Sequence, residues 1–485
     1  MKSLLNCTCG AFVLCVALLS TSTAQAQSWG HSTLYQFQGG ISGPDAGTPY
    51  GGVIKGSDGN YYGTTWYGGS GSGAVFKVTP GGVESIVYSF SGSDGQMPFA
   101  LVQGANGNLY GGTWYGGQGY GVIFEVTPSG QQTILQSFSN TNGGPAYIQG
   151  GLTLGSDGNF YGTSAGGGAN GQGSLFTMTP DGQLTVLYSF GGSSGTNPHG
   201  ELLEAKAGEF LGATAFGGDG GNGTVYKFSV VKSNLTVLHA FAGGADGALP
   251  WSDLVKGSDG AFYGTTQGGG TGTCSDATIP AGCGTVFRVT AAGEETIAYT
   301  FAGYPTDGAY PTGGLTRGKG GILYGTTAAG GFLAPGNCGS GCGTIFSLST
   351  TGTRSILFAC GEPPDPWYYD CWGPSGTLLL SADNVLTGTS SNGGNGWGNL
   401  FQIAPMPTVT LAATPSAISL HDKTQLTWVS SDAQSCLASG SWSGDEPTKG
   451  KTREQPLSTG SFTYTLTCTG VGGSANASAT VTVNE

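Results

Sequence analysis

One five-residue phrase recurs along the chain at nearly constant intervals. Its best copies read YYGTT at 61–65 and FYGTT at 262–266. The steps between successive copies are 48, 51, 50, 52, 61 and 63 residues. A repeat near 50 residues is typical of propellers and solenoids, in which each repeat is one supersecondary unit. The third residue is glycine in all seven copies: Gly63, Gly111, Gly162, Gly212, Gly264, Gly325 and Gly388.

Each repeat divides into four short predicted strands joined by tight turns. In the first repeat these strands cover 52–56, 61–66, 74–79 and 85–90, and the turn at 57–60 reads Ser-Asp-Gly-Asn. Asp-Gly between apolar alternating segments favours a β-hairpin, because the turn residues need positive φ angles. Four antiparallel strands per repeat, without helical periodicity, predict the blade of a β-propeller.

The two ends of the repeat region predict how the propeller closes. The phrase LYQF at 34–37 matches the outer-strand phrase LYSF at 187–190 but precedes the first repeat. The seventh repeat reaches Pro405 without an outer strand of its own. The N-terminal strand is therefore expected to complete the last blade, which removes an unpaired edge. We predict an all-β chain in which residues 27–405 form a seven-bladed β-propeller.

The N-terminus has the pattern of an export signal. Lys2 precedes an apolar run at 11–19, and an A-x-A cleavage pattern follows at 24–26, so residues 1–26 are predicted to be a signal peptide. No second apolar stretch follows, and a secreted, extracellular or periplasmic protein without membrane insertion is expected.

The cysteines agree with export. Eight of the eleven lie beyond the predicted signal peptide and fall into close pairs. A zinc site is the alternative, but no C-x-x-C is present and no histidine stands at ligand spacing. Paired cysteines of an exported protein favour disulfides. The predicted pairs are Cys274–Cys283, Cys338–Cys342, Cys360–Cys371 and Cys436–Cys468.

Composition excludes several classes of function. The net charge of −13 argues against a phosphate-binding surface, so nucleic acid is not an expected partner. Aromatic residues make up 11% of the chain, which opposes disorder although 95 of its 485 residues are glycine. No P-loop or H-E-x-x-H motif occurs, so we expect neither catalysis nor a cofactor. We also expect the protein to be a monomer.

The repeat phrases resemble a known tandem repeat. Tyr-Gly-Thr-Thr, Gly-Thr-Val-Phe at 284–287 and Thr-Pro-x-Gly are similar to the GloVer (Gloeo/Verruco) repeat of exported bacterial proteins, over roughly 33–403. The layout is also similar to that of NHL-repeat propellers. The resemblance implies repeat architecture and a surface or secreted setting, and it implies no assigned chemistry.

The last 80 residues have a different character. From 406 to 485 the glycine-rich phrases give way to alternating Thr and Val, which predicts a small β-sandwich. LTWVSSDAQSC and TYTLTCTG resemble a bacterial Ig-like domain, a spacer or docking unit. Trp428 precedes the first cysteine, unlike the antibody pattern, so a Cys436–Cys468 disulfide is not expected to be the usual bridge between sheets.

Aromatic residues concentrate in the loops of one predicted propeller face, that of the variable loops between strands two and three and between successive blades. Flat rings suit stacking on sugars, although filling gaps between blades explains single rings equally well. The candidate ligand-binding residues are Trp66, Tyr67, Trp114, Tyr115, Trp251, Tyr50, Phe99 and Trp397. Four further rings crowd one loop: Trp367, Tyr368, Tyr369 and Trp372.

Two carboxylates interrupt the repeat at the same face. Glu201 and Asp253 stand just before the innermost-strand leucine, where the other five repeats carry Gly, Ala or Thr, and His199 lies two residues before Glu201. Paired carboxylates are the machinery of glycoside hydrolysis, but they also solvate channels. These three residues are weak catalytic candidates.

A second acidic series follows the form D-x-x-x-P. Four loop aspartates share it, and they could ligate Ca²⁺, but turns that shape the entry to each inner strand explain them more simply. They are Asp45, Asp94, Asp246 and Asp307.

The reading that combines these features is a secreted propeller that binds polysaccharide or cell-surface glycan on its variable-loop face. A glycan-cleaving enzyme that uses Glu201 and Asp253, and a propeller that docks a surface protein, are the alternatives.

Overall fold

The recurring phrase forms the second strand of seven antiparallel sheets, which we number I to VII in chain order. Its glycine lies directly under an aromatic ring of the third strand, which is Tyr226 in sheet IV and phenylalanine in the other six sheets. A Cβ on Gly63 would stand 2.5 Å from the Phe76 ring, and one on Gly264 would stand 2.5 Å from Phe287. The phrase therefore carries glycine because two strands approach too closely for any side chain. The computed structural model of the protein describes residues 28–39, 45–139, 143–331, 341–361, 373–393 and 396–485.

Sheets I to IV follow one another without exchange of strands. The strands of sheet I are Ala46–Pro49, Ile54–Lys55, Tyr61–Gly68, Ala74–Val78 and Glu84–Ser89. Those of sheet II are Gln96–Gln103, Leu109–Tyr115, Val122–Val126 and Gln132–Ser137. Those of sheet III are Thr153–Leu154, Phe160–Ser164, Ser174–Met178 and Leu184–Ser189, with the separate pair Pro145–Ala146 and Gly166–Gly167. Those of sheet IV are Thr196–Lys206, Glu209–Phe216, Thr224–Ser229 and Asn234–Ala240.

Sheets V to VII repeat this pattern. The strands of sheet V are Ala248–Pro250, Val255–Lys256, Phe262–Gly268, Thr285–Val289 and Glu295–Thr300. Those of sheet VI are Thr316–Arg317, Leu323–Thr327, Thr344–Leu348 and Arg354–Ala359, with the separate pair Gly308–Ala309 and Ala329–Gly330. Those of sheet VII are Leu379–Leu380, Leu386–Ser390, Asn399–Pro405 and Trp29–Gln36. Three short 3-10 turns lie at Gly192–Ser194, Gly244–Asp246 and Lys319–Gly321.

The sheet series returns to its own beginning. Trp29–Gln36 pairs antiparallel with Asn399–Pro405, as predicted for an N-terminal strand that completes the last sheet. At the inner edge, the Thr389 hydroxyl of sheet VII donates a hydrogen bond to the Gly51 carbonyl of sheet I at 2.8 Å. The described part of the chain is thus all-β and propeller-like, with sheets I and VII as neighbours.

The apolar core lies between neighbouring sheets. Phe90, at the end of the outer strand of sheet I, meets Phe124 of sheet II at a centroid distance of 5.0 Å. The same edge-to-face contact joins Phe241 to Phe287 at 5.1 Å. Such pairs add to the area term of burial. Each sheet is therefore stabilised mainly by the next one.

Every inner strand is interrupted or bulged at one repeat position. In sheet I the strand stops at Pro49 and resumes at Ile54, and in sheet IV the pairing register shifts between His199 and Leu203. The residue before the break is left-handed, with φ between 53° and 60° at six non-glycine positions: Thr48, Met97, Tyr147, Asn197, Leu249 and Tyr310. This conformation costs roughly 1–2 kcal/mol per residue.

A neighbouring sheet holds each of these kinks. The N–H of Asn197 donates to the carbonyl of Gln172, and the N–H of Thr48 donates to that of Trp397. Both acceptors lie just before the third strand of the preceding sheet. Bulges re-aim side chains, and here they turn the next four or five residues toward the centre of the sheet series. The sequence prediction placed a regular inner strand at 52–56 and missed this break.

The C-terminal residues form two sheets that share one core. One sheet holds Thr408–Thr414, Thr424–Ser431 and Lys449–Glu454, and the other holds Ala417–Ser419, Ser435–Gly440, Gly444–Glu446, Gly460–Gly470 and Gly473–Asn484. Leu426 and Trp428 of the first sheet pack against Leu466 and Val481 of the second. No described helix has the length and apolar character that a membrane span requires.

Candidate functional site

A cavity of about 260 Å³ lies where the inner strands of the seven sheets converge. The breaks in these strands supply its lining, so the kinked backbone is what builds it. The first lining residue of each sheet follows a proline that occupies the same position in every repeat except that of sheet III, where Ile148 replaces it. These seven residues are Tyr50, Phe99, Gln149, His199, Trp251, Thr312 and Ser375.

Five of the predicted ring residues form one continuous row across sheets I and II. Trp66 stacks on Tyr50 at a centroid distance of 4.0 Å. Trp66 also meets Phe99 and Trp114 edge-on, at 5.6 and 6.0 Å. Trp114 is parallel to Tyr115 at 5.7 Å, and Tyr115 is 40% exposed. We call Tyr50, Trp66, Phe99, Trp114 and Tyr115 the aromatic row, which leads from the cavity to the surface.

The other ring candidates lie elsewhere. Trp251 lines the cavity from sheet V and packs on the His199 imidazole at 3.9 Å. Trp397 packs against the core of sheet I, and its carbonyl holds the Thr48 kink. Tyr67 makes no ring contact among the described residues. The four rings predicted to crowd one loop, Trp367, Tyr368, Tyr369 and Trp372, lie outside the described residues.

The two predicted carboxylates meet across sheets IV and V. The Glu201 backbone N–H donates to one Asp253 oxygen at 2.6 Å, and the Thr377 hydroxyl of sheet VII donates to the other at 2.7 Å. Both residues line the cavity. Asp253 therefore accepts a hydrogen bond on each oxygen, whereas the Glu201 carboxyl has no hydrogen-bond partner among the described residues.

This difference is reflected in the protonation of the pair. Burial, and secondly the negative charge of Asp253, raise the pKa of Glu201 to about 8. Burial also raises the pKa of Asp253, but the hydrogen bonds from Thr377 and Glu201 act in the opposite direction. At neutral pH, Glu201 is therefore mostly protonated and can donate as well as accept a hydrogen bond.

His199 lines the same cavity, and its imidazole is neutral at neutral pH. Burial lowers its pKa to about 3, and its Nε2 atom is buried without a hydrogen-bond partner among the described residues. Three more lining residues have such an atom: Gln149 Oε1, Thr312 Oγ1 and Ser375 Oγ. Sequence reasoning missed these three, although the signal was present, because each is the residue after the proline or Ile148 of its repeat.

The loop aspartates of the D-x-x-x-P series anchor the ends of outer strands. Asp45 accepts hydrogen bonds from the Tyr35 hydroxyl and the Gln38 N–H, and Asp307 accepts the equivalent bonds from Tyr299 and Ala302. Asp307 also pairs with Arg354 at 3.2 Å. These N–H donors precede the aspartates and lie at the ends of outer strands, whereas the predicted Asx-turn would accept from the N–H two residues after the aspartate, on the way into the inner strand. The hydroxyl partners were not predicted either.

One aspartate of this series, Asp246, belongs to a group of three side chains that could hold a cation. His239, Asp246 and Glu295 place one ligand atom each within 4.8 Å of one another. The imidazole is already bound to Asp246 at 3.1 Å. Glu295 comes from the neighbouring sheet V, so sequence spacing did not reveal the group.

Two of the predicted disulfides are present in full. Cys274–Cys283 closes a loop of sheet V. Cys436–Cys468 joins directly paired residues of one C-terminal sheet, so it is not a bridge between sheets, as predicted. Cys342 and Cys360 are disulfide-bonded, but their predicted partners, Cys338 and Cys371, lie outside the described residues.

Comparison with known proteins identifies the repeat and little beyond it. The family model described as the Gloeobacter/Verrucomicrobia repeat matches residues 116–337, just under half of the chain. This match confirms the resemblance there, and its extension over 33–403 stays a prediction. No curated protein matches the sequence.

Solved structures resemble the chain at low identity. One is the extracellular domain assigned to a hybrid two component system of B. thetaiotaomicron, at 10% identity and a TM-score of 0.48, over 94% of this chain and 57% of that one. Another is PorZ, a surface component of the type-IX secretion system of Porphyromonas gingivalis, at 13% identity and a TM-score of 0.45, over 88% and 58%. The chain thus spans well under two thirds of either structure, and these likenesses carry no argument about its function.

Proposed function

We propose that the protein is an exported recognition protein that binds polysaccharide or cell-surface glycan. In this proposal residues 27–405 are a monomeric seven-bladed β-propeller, and 406–485 are an Ig-like module that acts as a spacer or docking unit. The disulfides Cys274–Cys283 and Cys436–Cys468 support export, because such bonds persist in oxidising compartments.

The aromatic row carries the proposal. It offers ring faces at graded depth, from Phe99 at 6% exposure to Tyr115 at 40%. Rings that are fixed by their neighbours lose little entropy when a ligand stacks on them, and their flat faces suit the C–H faces of sugars. A row that crosses two sheets matches an extended ligand better than an isolated ring does.

The sequence offers a matched control for this surface. Tyr115 and Phe216 occupy the same position of their repeats, four residues after the repeat glycine, and are 40% and 44% exposed. Only Tyr115 belongs to the aromatic row. We expect Tyr115→Ala, and more strongly Trp114→Ala, to weaken retention on the bound polysaccharide at least tenfold, while Phe216→Ala leaves it unchanged.

The experiment is a pull-down of residues 27–485 on a panel of insoluble and immobilised polysaccharides, with circular dichroism to verify the fold of each variant. Selective retention that depends on the row supports the proposal. Equal retention of Tyr115→Ala, Trp114→Ala and Phe216→Ala variants contradicts it. Retention on no glycan favours the alternative of a protein partner.

A second candidate, glycan cleavage, is favoured by one observation. Glu201 and Asp253 lie in adjacent sheets with unequal hydrogen bonding, and a pair of carboxyl groups in unlike surroundings, one of them protonated, is the arrangement of glycosidases. Against it, both Asp253 oxygens are already engaged. Release of new reducing ends that disappears in the Glu201→Gln variant would replace the binding proposal with this one; the absence of release by wild-type protein would eliminate it.

A further inference from the structure

One repeat position distinguishes the seven sheets from one another. The lining residue that follows the proline, or Ile148, is different in every sheet, whereas the residue after it is always Gly, Ala or Ser. The backbone around this position is the same throughout, because a left-handed residue held by the preceding sheet comes just before the proline or isoleucine. A symmetric scaffold thus presents an asymmetric lining, as recognition of one asymmetric small molecule requires.

One part of this lining consists of polar atoms that lack partners. His199 and Ser375 are only 7% and 8% exposed, and their Nε2 and Oγ atoms make no hydrogen bond with any described residue. Gln149 and Thr312 contribute two more such atoms. Buried polar groups are nearly always satisfied, so several unpartnered ones around a single cavity indicate a hydrogen-bonding occupant.

The remaining part of the lining consists of rings. Tyr50 and Phe99 enter from the adjacent sheets I and II, and Trp251 enters from sheet V. Apolar faces combined with a few fixed polar groups are typical of small-molecule sites. Water alone would satisfy the polar atoms, but it gains nothing from the ring faces.

The charge of the lining residues and the volume of the cavity limit the class of molecule that can bind there. Among the residues that the structure describes, no Lys or Arg lines the cavity, whereas two carboxyl residues do, which disfavours an anion. In the described ranges, the side chains that bring three metal-ligating atoms together are His239, Asp246 and Glu295, and none of them lines this cavity. The volume of about 260 Å³ is just below the roughly 300 Å³ at which pockets for small molecules begin, so one ring fits and a chain does not.

We infer that the cavity binds a single neutral, polyhydroxylated ring, which is to say one sugar residue. Its hydroxyls would meet Gln149, His199, Thr312 and Ser375, and its C–H faces would meet Tyr50, Phe99 or Trp251. The inference rests on the proposed function for the class of ligand and adds a subsite at the inner end of the aromatic row. The residue comes either from the end of a glycan or from a free monosaccharide.

Two conservative variants test the subsite without disturbing the aromatic row. Thr312→Val and Ser375→Ala each remove a buried hydroxyl that has no hydrogen-bond partner among the described residues, so both are expected to leave thermal stability unchanged or raised. If these hydroxyls bind the sugar, each variant weakens binding at least fivefold. Thr163→Val is the matched control, because Thr163 Oγ1 is also buried and unpartnered but does not line the cavity.

The measurement is titration calorimetry of residues 27–485 with D-glucose, D-galactose, D-mannose and L-fucose, and with D-glucuronate as an anionic probe. We expect one neutral sugar to bind, glucuronate to be rejected, and binding to fall in the Thr312→Val and Ser375→Ala variants but not in Thr163→Val. Oligosaccharides of that sugar, with and without a free terminal residue of the same kind, distinguish a glycan end from a free monosaccharide.

The outcomes separate this inference from the proposed function. If polysaccharide is retained through Trp114 but no monosaccharide or oligosaccharide end responds to the cavity variants, the subsite is wrong and the glycan-binding face stands. If monosaccharide binds through Thr312 and Ser375 while no polysaccharide is retained, the subsite stands and the face is wrong. Loss of thermal stability in Thr312→Val or Ser375→Ala would show a structural role for the hydroxyls and overturn the inference.

Discussion

The two sides of the cavity are built from the same repeat but are held together by different kinds of contact. On the side of sheets I and II, side chains meet ring against ring, as in the 4.0 Å stack of Tyr50 and Trp66. On the side of sheets IV and V, they meet through polar contacts, chiefly the Asp253 carboxylate that the Glu201 N–H and the Thr377 hydroxyl share. The comparison teaches that the repeat fixes where the backbone breaks, and single residues after the break decide the chemistry.

The strongest test of this comparison truncates one tryptophan on each side. Trp66 contacts three other rings of the row, whereas Trp251 contacts only His199 among the described rings. We expect Trp66→Ala to lower the free energy of unfolding by about 3 kcal/mol and Trp251→Ala by about half of that. Urea denaturation measures both. Equal losses would contradict the difference in packing between the two sides.

A second test asks whether the scaffold beneath the two sides is equivalent. A Cβ on Gly111 would stand 2.7 Å from the Phe124 ring, and one on Gly264 would stand 2.5 Å from Phe287. Overpacking of this kind costs about 2 kcal/mol, so Gly111→Ala and Gly264→Ala should destabilise the protein by similar amounts. A clearly larger loss on one side, seen by thermal denaturation, would show that the repeats are not interchangeable supports.

The smallest expected effect is a pH dependence of protein stability, and it arises on the side of sheets IV and V, where Glu201 lies. Folding raises the pKa of Glu201 from 4.5 to about 8, so the folded state keeps a proton that the unfolded state loses. Stability therefore falls as pH rises toward 8, and the loss between pH 7 and 8.5 is about 1 kcal/mol. Glu201→Gln should remove this loss.

Glu295→Gln is the control for that measurement. Burial, and secondly the charge of Asp246, raise the pKa of Glu295 to about 7, so its own contribution is nearly complete at the start of the range. His199, whose pKa is lowered to about 3, contributes only below its unfolded value near 6.5. A pH dependence from 7 to 8.5 that persists in the Glu201→Gln variant would show that groups other than Glu201 cause it and would contradict the prediction.

The sequence predicted the features that depend on local pattern. Hairpin turns and apolar alternation place the second, third and outer strands within one or two residues of their observed bounds in sheet I. The partnership of the N-terminal strand with Asn399–Pro405 also follows from a pattern, because its outer-strand phrase appears out of sequence. The nearness of Glu201 and Asp253 follows from their equal repeat positions in adjacent repeats.

Features that depend on contacts between sheets were not predictable in the same way. The left-handed φ of Leu249 is held by a hydrogen bond from its N–H to the carbonyl of Asn222 in the preceding sheet, and leucine has no local preference for this conformation. The hydroxyls of Thr312 and Ser375 lack a hydrogen-bond partner among the described residues, and this depends on all the groups that pack around them. Trp397 was predicted to bind ligand through its ring, yet in the structure that ring packs against the core of sheet I and its carbonyl accepts the hydrogen bond from Thr48.

The pairing of Trp29–Gln36 with Asn399–Pro405 also sets an order of assembly. In a chain that is synthesised N-terminus first, the first strand emerges early, and its partner emerges only as the third strand of the seventh sheet. A truncated chain that lacks the last repeat therefore has an unpaired strand edge at each end of its sheet series, and proteases can attack these edges. This pairing thus reports that the whole series of sheets has been made, because only chains that include the seventh repeat can form it.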